Sequence, residues 1–128
     1  MEWATKDGFF KAKVPQEQMT TELGTIWVKG LKCGEKDEYE NAVIHFKAKS
    51  RQVLLANARA KLLQITVYDQ HGKLMFDDTE MGKLCEVPAI IADPILDVAR
   101  RLSGMTTGEI EDLVKNSETA QKKDSNTG

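Results

Sequence analysis

The stretch TVYDQHGKLMF, residues 66 to 76, sets Asp69, His71 and Gly72 between two apolar runs. An aspartate and a histidine this close have the atoms to bind a metal ion or relay a proton. Gly72, free to adopt a positive φ, argues instead for a sharp reversal of the chain. Asp69 would then hydrogen-bond the backbone of its own turn and His71 would stand at a solvated tip.

The other side chains with reactive groups are scattered. Cys33 and Cys85 lie far apart, and neither falls in a CxxC or Cys/His spacing suited to zinc. Both are expected to be reduced thiols, with Cys85, in GKLCEVP, a small buried hydrophobe. His45 projects away from the stripe formed by Tyr39, Val43 and Phe46, the position of a surface histidine. Asp77, Asp78 and Glu80 in FDDTE lack the alternating spacing of a calcium loop and suit a solvated loop or helix N-terminus. With no P-loop, GxGxxG or GxSxG motif, the chain reads as a non-enzyme with no catalytic residues, no metal and no cofactor.

Charge gives the same direction. Eighteen Lys and Arg against twenty Asp and Glu leave a formal net charge of −2, too little to create a field that draws polyanions or anionic membranes. Trp3, Phe9, Phe10, Lys11 and Lys13 interleave aromatics with positive charge, as single-strand binders do. An edge strand with outward lysines accounts for them equally well. No apolar run approaches the roughly twenty residues of a membrane span, and MEWATKDGFF lacks the layout of a signal peptide. The expectation is a cytoplasmic protein that binds neither nucleic acid nor membrane.

The elements that must position these residues follow from apolar spacing. FFKAKV (9–14) alternates Phe10, Ala12 and Val14 with lysines, and GTIWVKGL alternates Ile26 and Val28 with Trp27 and Lys29, predicting strands over 9–14 and 25–29. Tyr39, Val43 and Phe46 recur at helical spacing behind an acidic first turn, predicting a helix over 35–48. Ser50 suits the cap of a helical stretch, RQVLLANARAKLL. Leu63, Ile65 and Val67 then alternate with polar residues and predict a strand over 62–67. That strand makes a hairpin with a second one at 74–76 across DQHGK. Asp93 as N-cap, Pro94 at the first helical position and Gly104 past the end predict a helix over 94–103. Thr106 and Glu109 have capping-box spacing before the stripe Ile110, Leu113 and Val114, predicting a helix over 107–115. Residues 116–128 contain one apolar side chain, Ala120, and are expected to be a disordered polar tail. The fold class is therefore α+β: one domain over 1–115 with a small, mostly antiparallel sheet packed by three or four helices.

Taken in order, TIWVKGLKCGEKDEYENAV, ARAKLLQITVYDQHGKLMFDD and VARRLSGMTTGEIEDLVKN resemble the tail assembly chaperones of long-tailed phages and prophages, over residues 24 to 116. The likeness rests on a short strand bearing Trp27 and ending in Gly30 and Leu31, and on an acidic helix with an early aromatic, Tyr39. It also rests on a hairpin carrying Asp69, Gly72 and Phe76, and on a helix ending Arg101, Leu102, Ser103 and Gly104. The resemblance implies a non-catalytic chaperone, active in the host cell and absent from the mature virion. Its implied partner is the tape measure protein, a long, helical and partly apolar chain kept soluble until tube subunits polymerise around it.

The resemblance also implies a ribosomal frameshift yielding a longer product that recruits the major tail tube protein. Gln121, Lys122 and Lys123 are encodable as CAA AAA AAG, a run on which a ribosome can slip. An alternative reading is a structural virion component such as a minor tail or head–tail joining protein. For a chaperone that coats a long client, self-association into a homo-oligomer is expected, and apolar helix faces are best met by apolar surface. Ile90, Ile91, Ile95 and Leu96 are the candidate partner-binding residues, being denser in apolar groups than one short helix needs.

Overall fold

The computed structural model describes residues 2–45 and 50–105. Its elements run α1 (Lys6–Lys11), β1 (Gln16–Thr21), β2 (Gly24–Lys29), α2 (Cys33–Ile44), α3 (Arg51–Thr66), β3 (Val67–Tyr68), a 3₁₀ turn (Asp78–Glu80), α4 (Met81–Leu84) and α5 (Ala89–Leu102). The three strands form one antiparallel sheet in the order β1-β2-β3, so the fold is α+β.

The sheet begins with a hairpin whose turn fixes the register. Thr21 Oγ1 accepts from the Leu23 N–H (3.1 Å) and donates to the Gly24 carbonyl (2.9 Å), while Gly24 takes φ +128°. A side-chain hydroxyl thus closes the reversal, and glycine occupies the position that a β-carbon would strain. In this register Met19 pairs with Ile26, both directed to the core, and Gln18 pairs with Trp27 on the other face.

The polar run QEQMTT is therefore the strand, which corrects the strand expected over 9–14. Residues 6–11 form α1, capped by Thr5 Oγ1 accepting from the Gly8 N–H (3.0 Å) and carrying an exposed Lys11–Asp7 ion pair (3.1 Å). The alternation of Phe10, Ala12 and Val14 straddles the end of α1 and the extended link after it. Sheet pairing goes instead to the residues that the hairpin turn presents to β2.

Helix α3 corrects the expected strand over 62–67. Ser50 Oγ accepts from the Val53 N–H (3.3 Å) and starts the helix. It continues through Leu62, Leu63 and Thr66, where the Thr66 hydroxyl donates back to the Leu62 carbonyl (2.6 Å). Its buried residues Leu54, Ala58, Ala60, Leu62, Leu63, Gln64 and Thr66 spread around the helix because α2 packs on one side and α4 and α5 on another. A helix covered on several sides loses its single apolar stripe, and a short apolar run then reads equally as strand. Only Val67 and Tyr68 are extended, paired with Val28 and Trp27. The expected strand 74–76 shrinks to one bridge, Tyr68 to Leu74.

Two helix boundaries also move. Helix α2 starts at Cys33 and ends at Ile44, so residues 46–48 of the expected 35–48 span lie outside the described residues. Tyr39 and Val43 are buried, and the Tyr39 hydroxyl donates to the Ala58 carbonyl of α3 (3.2 Å). Helix α5 starts at Ala89, so Pro94 sits inside the helix and Asp93 is not its cap. The apolar positions Ala92, Ile95, Leu96 and Ala99 form one buried stripe spanning the proline, and that burial outweighs the local start signal. Ile95 and Leu96 contribute on the order of 2 kcal/mol each by leaving water. The expected helix 107–115 and tail 116–128 lie outside the described residues.

The C-terminus of α5 locks to the sheet. Gly104 takes φ +70°, its N–H donating to Arg101 O (3.3 Å), and the Met105 N–H reaches Arg100 O (2.8 Å). These paired bonds satisfy carbonyls that the helix end would leave open, and Met105 is buried beneath them. Ser103 Oγ accepts from the Leu31 N–H (3.1 Å), the Arg101 guanidinium pairs with the Glu17 carboxylate, and the Gly30 N–H donates to Pro15 O (2.9 Å). A β-carbon on Gly30 would lie 2.2 Å from the Leu102 carbonyl oxygen and 2.8 Å from its carbon. Both are backbone atoms of a packed helix end and have little room to yield. Gly30→Ala is expected to destabilise the protein by about 2–3 kcal/mol, read as a lower urea midpoint at unchanged slope. Parental stability in this variant would mean that the crossing opens freely.

Candidate functional site

The DQHGK segment is built as a turn. Asp69 Oδ1 accepts from the backbone N–H groups of His71 (2.8 Å) and Lys73 (3.1 Å), the Asp69 N–H donates to Lys73 O (2.8 Å), and Gly72 adopts φ +77°. The carboxylate holds the backbone through Oδ1. The bond from the Lys73 amide keeps the Asp69 carboxyl below the usual aspartate range; desolvation opposes it, and the bond from His71 and the nearby His71 and Lys73 charges add to the lowering. His71 is exposed and its Nε2 faces the Gln70 amide (3.3 Å). Phe76 turns back against the core, and its carbonyl accepts from Gln64 Nε2 (3.1 Å).

The remaining reactive groups stay apart. His45 is exposed at the end of α2, with Nδ1 2.8 Å from the Asn41 carbonyl. Asp77 caps the 3₁₀ turn through the Thr79 N–H (2.9 Å), and Glu80 Oε1 accepts from the Asp77 N–H (3.1 Å), so two of the three carboxylates in FDDTE terminate backbone. Cys33, the first residue of α2, is an exposed free thiol. Cys85 is also exposed, correcting the expected burial: it follows the short α4, with Sγ near Ala56 O (3.7 Å) and Asn57 Oδ1 (3.6 Å). Partial desolvation, then the nearby Glu86 charge, pushes its pKa up, the reverse of nucleophile activation. Among the described residues no three His, Cys, Asp or Glu side chains converge as a metal-ligand group.

The four candidate partner-binding residues divide between two faces of α5. Ile90 is 76% exposed and, with Pro94 one turn on and Met19 of β1, forms an open groove flanked by Thr20 and Glu22. Ile91 is half-buried at its inner edge. Ile95 and Leu96 belong to the core, Leu96 being 1% exposed. On the inner side of Ile91 lies a second, almost wholly apolar cleft of about 190 Å³, between the β1–β2 turn, α5 and the segment around Phe76.

Leu23, Ile26, Leu63, Met75 and Val87, which line this cleft, escape a reading of the sequence because each sits in a different element. Leu23 alone carries a signal, as an aliphatic residue exposed on a tight turn between Glu22 and Gly24. Of the residues singled out for their motifs, Gly30, Leu31, Leu102 and Gly104 come together at one corner, and Asp69, Gly72 and Phe76 form the turn beyond β3. Tyr39 is buried between α2 and α3, its hydroxyl pKa held well above the usual range by desolvation. Trp27 is half-buried on the outer face of the sheet, opposite Tyr68. The Tyr68 ring in turn has the Lys29 ammonium 4.2 Å from its centre.

No family model, curated protein or solved structure matches the chain.

The depressed Asp69 pKa fixes the sign of one pH effect. The ionised carboxylate stabilises the turn above its unfolded pKa near 3.8, and this contribution is lost as pH falls through the lower folded value. Asp69→Asn should therefore lower stability at pH 6, with the gap to the parent closing on acidification below that range. Urea titrations at pH 6 and at a pH below the folded Asp69 pKa measure it, and a gap unchanged by pH would refute the carboxylate's role.

Proposed function

We propose that this protein is a tail assembly chaperone of the kind that long-tailed phages use, binding the tape measure protein and holding it soluble until tube subunits assemble around it. The carrying observation is the groove of Ile90, Pro94 and Met19, an apolar strip held open on a helix whose other face is locked into the core. A client with exposed apolar helix faces is matched by such a strip, and the recognition requires neither a metal nor a catalytic acid. The meeting of Gly30 and Leu31 with Leu102, Ser103 and Gly104 adds support, since these two segments carry the sequence resemblance from opposite ends of the fold. On this reading the protein acts in the cytoplasm of the host and is not incorporated into the particle. A longer frameshifted product would pass the loaded client to the major tail tube protein. Among the described residues no helix is long and apolar enough to cross a membrane.

The test is co-expression with the long, helix-rich product of the neighbouring tail gene, followed by pull-down. The client should be retained and soluble with the parent chain, and Ile90→Glu should weaken retention at least about tenfold while leaving thermal stability within a few degrees. A client equally soluble without the protein, or undiminished binding by Ile90→Glu, would overturn the reading. Mass spectrometry of purified particles separates the chaperone from a structural tail part, which would be present in stoichiometric amount.

A further inference from the structure

Pro94 gives the groove more than an apolar ring. Lacking an N–H, it cannot donate to the Ile90 carbonyl one turn earlier in α5, the bond that any other residue at this position would make. Ile90 and Pro94 both line the groove, so this open acceptor belongs to its α5 wall. The opposite wall ends in Glu22, the one charged residue of the lining. Glu22 is exposed, and no lysine or arginine among the described residues pairs with it. The hydroxyls on the lining are already engaged, Thr21 Oγ1 in the hairpin turn and Thr20 Oγ1 with Thr25 Oγ1 (3.3 Å).

We infer that the groove receives a lysine side chain of the client. Its methylene stem lies along Met19, Ile90 and Pro94, and its ammonium is shared by the Ile90 carbonyl and the Glu22 carboxylate. This rests on the proposed function and narrows it: the segment that docks is an amphipathic helix with a lysine set among its apolar residues.

The chemistry of the lining selects that residue. A long aliphatic stem with a cationic head covers apolar surface and then demands acceptors, the order in which this groove offers them. The two acceptors come from separate groups. An ammonium with three independently directed donors suits them, whereas the planar fork of arginine is matched to both oxygens of a single carboxylate. An acidic side chain would be repelled by Glu22, and a purely apolar one would cover the acceptors without bonding them. Size agrees as well. The groove holds about 190 Å³, and a cavity of about 150 Å³ takes a benzene ring, so there is room for one long side chain.

Carbodiimide coupling of the complex, formed by co-expressing the full chain with the client, tests the inference. The reagent activates a carboxylate, and an amine in contact with it displaces the activating group to form an amide, which mass spectrometry of the digested complex locates. Glu22 should be joined to a client lysine that has apolar neighbours. Glu22→Gln should abolish that link, weaken retention of the client at least about tenfold and flatten its dependence on salt. Pro94→Ala, which returns an N–H to the Ile90 carbonyl, should also weaken retention, with thermal stability no lower than the parent's. Both substitutions change exposed side chains. A Glu22 linked only to a lysine of its own chain or of another copy, or to none, overturns the inference. So does full retention by Glu22→Gln with unaltered salt dependence. Neither result touches the chaperone reading while the parent retains its client, and a parent that retains none overturns both.

Discussion

The fold depends on one close approach of backbone to backbone, where β2 ends against the C-terminus of α5. Gly30 is there because no side chain fits between it and the Leu102 carbonyl. The neighbouring bonds from Leu31 to Ser103 and from Gly30 to Pro15 convert that contact into a three-way junction of strand, helix end and N-terminal link. The positive φ of Gly104 is part of the same arrangement. It turns the chain out of the helix so that Met105 can fold underneath, and it satisfies the last carbonyls that a buried helix end would otherwise leave open.

What was legible in the sequence was punctuation. Gly72 after Asp69, Ser50 before a helical run, and Gly104 after Arg101, Leu102 and Ser103 each act through the local backbone, so their meaning survives without tertiary knowledge. What misled was apolar spacing where burial comes from several directions. Leu63, Ile65 and Val67 alternate like a strand, yet the partners that surround α3 bury neighbouring positions as well, and no short window contains those partners. The polar β1 was hidden for the opposite reason. Its pairing is dictated by the turn at Thr21 to Gly24 and by β2, and only Met19 advertises a buried face. Pro94 is a local start signal, but the apolar stripe that runs through it carries α5 back to Ala89.

The candidate site was legible in part. Ile90 to Leu96 stood out by density, but four apolar residues on a helix point in several directions, and only packing decides which reach solvent. Two of them hold the molecule together, one lies at a boundary, and Ile90 is left outside. The polar cluster at 69 to 80 was equally visible, and the carboxylates of Asp69, Asp77 and Glu80 close a turn and start a helical segment. Side chains that stabilise backbone are not thereby prepared for chemistry, and the composition of a loop does not distinguish the two uses.

The third strand of the sheet is delivered from beyond two helices: β2 pairs with β3 only after α2 and α3 have carried the chain out and back. In kinetic terms the β1–β2 hairpin is a local event available on the microsecond scale, whereas the ladder between Val28 and Val67 must wait for a long loop to close. During synthesis the hairpin therefore leaves the ribosome with its inner face, Met19, Ile26 and Val28, uncovered. That face is sealed only when α5 has emerged.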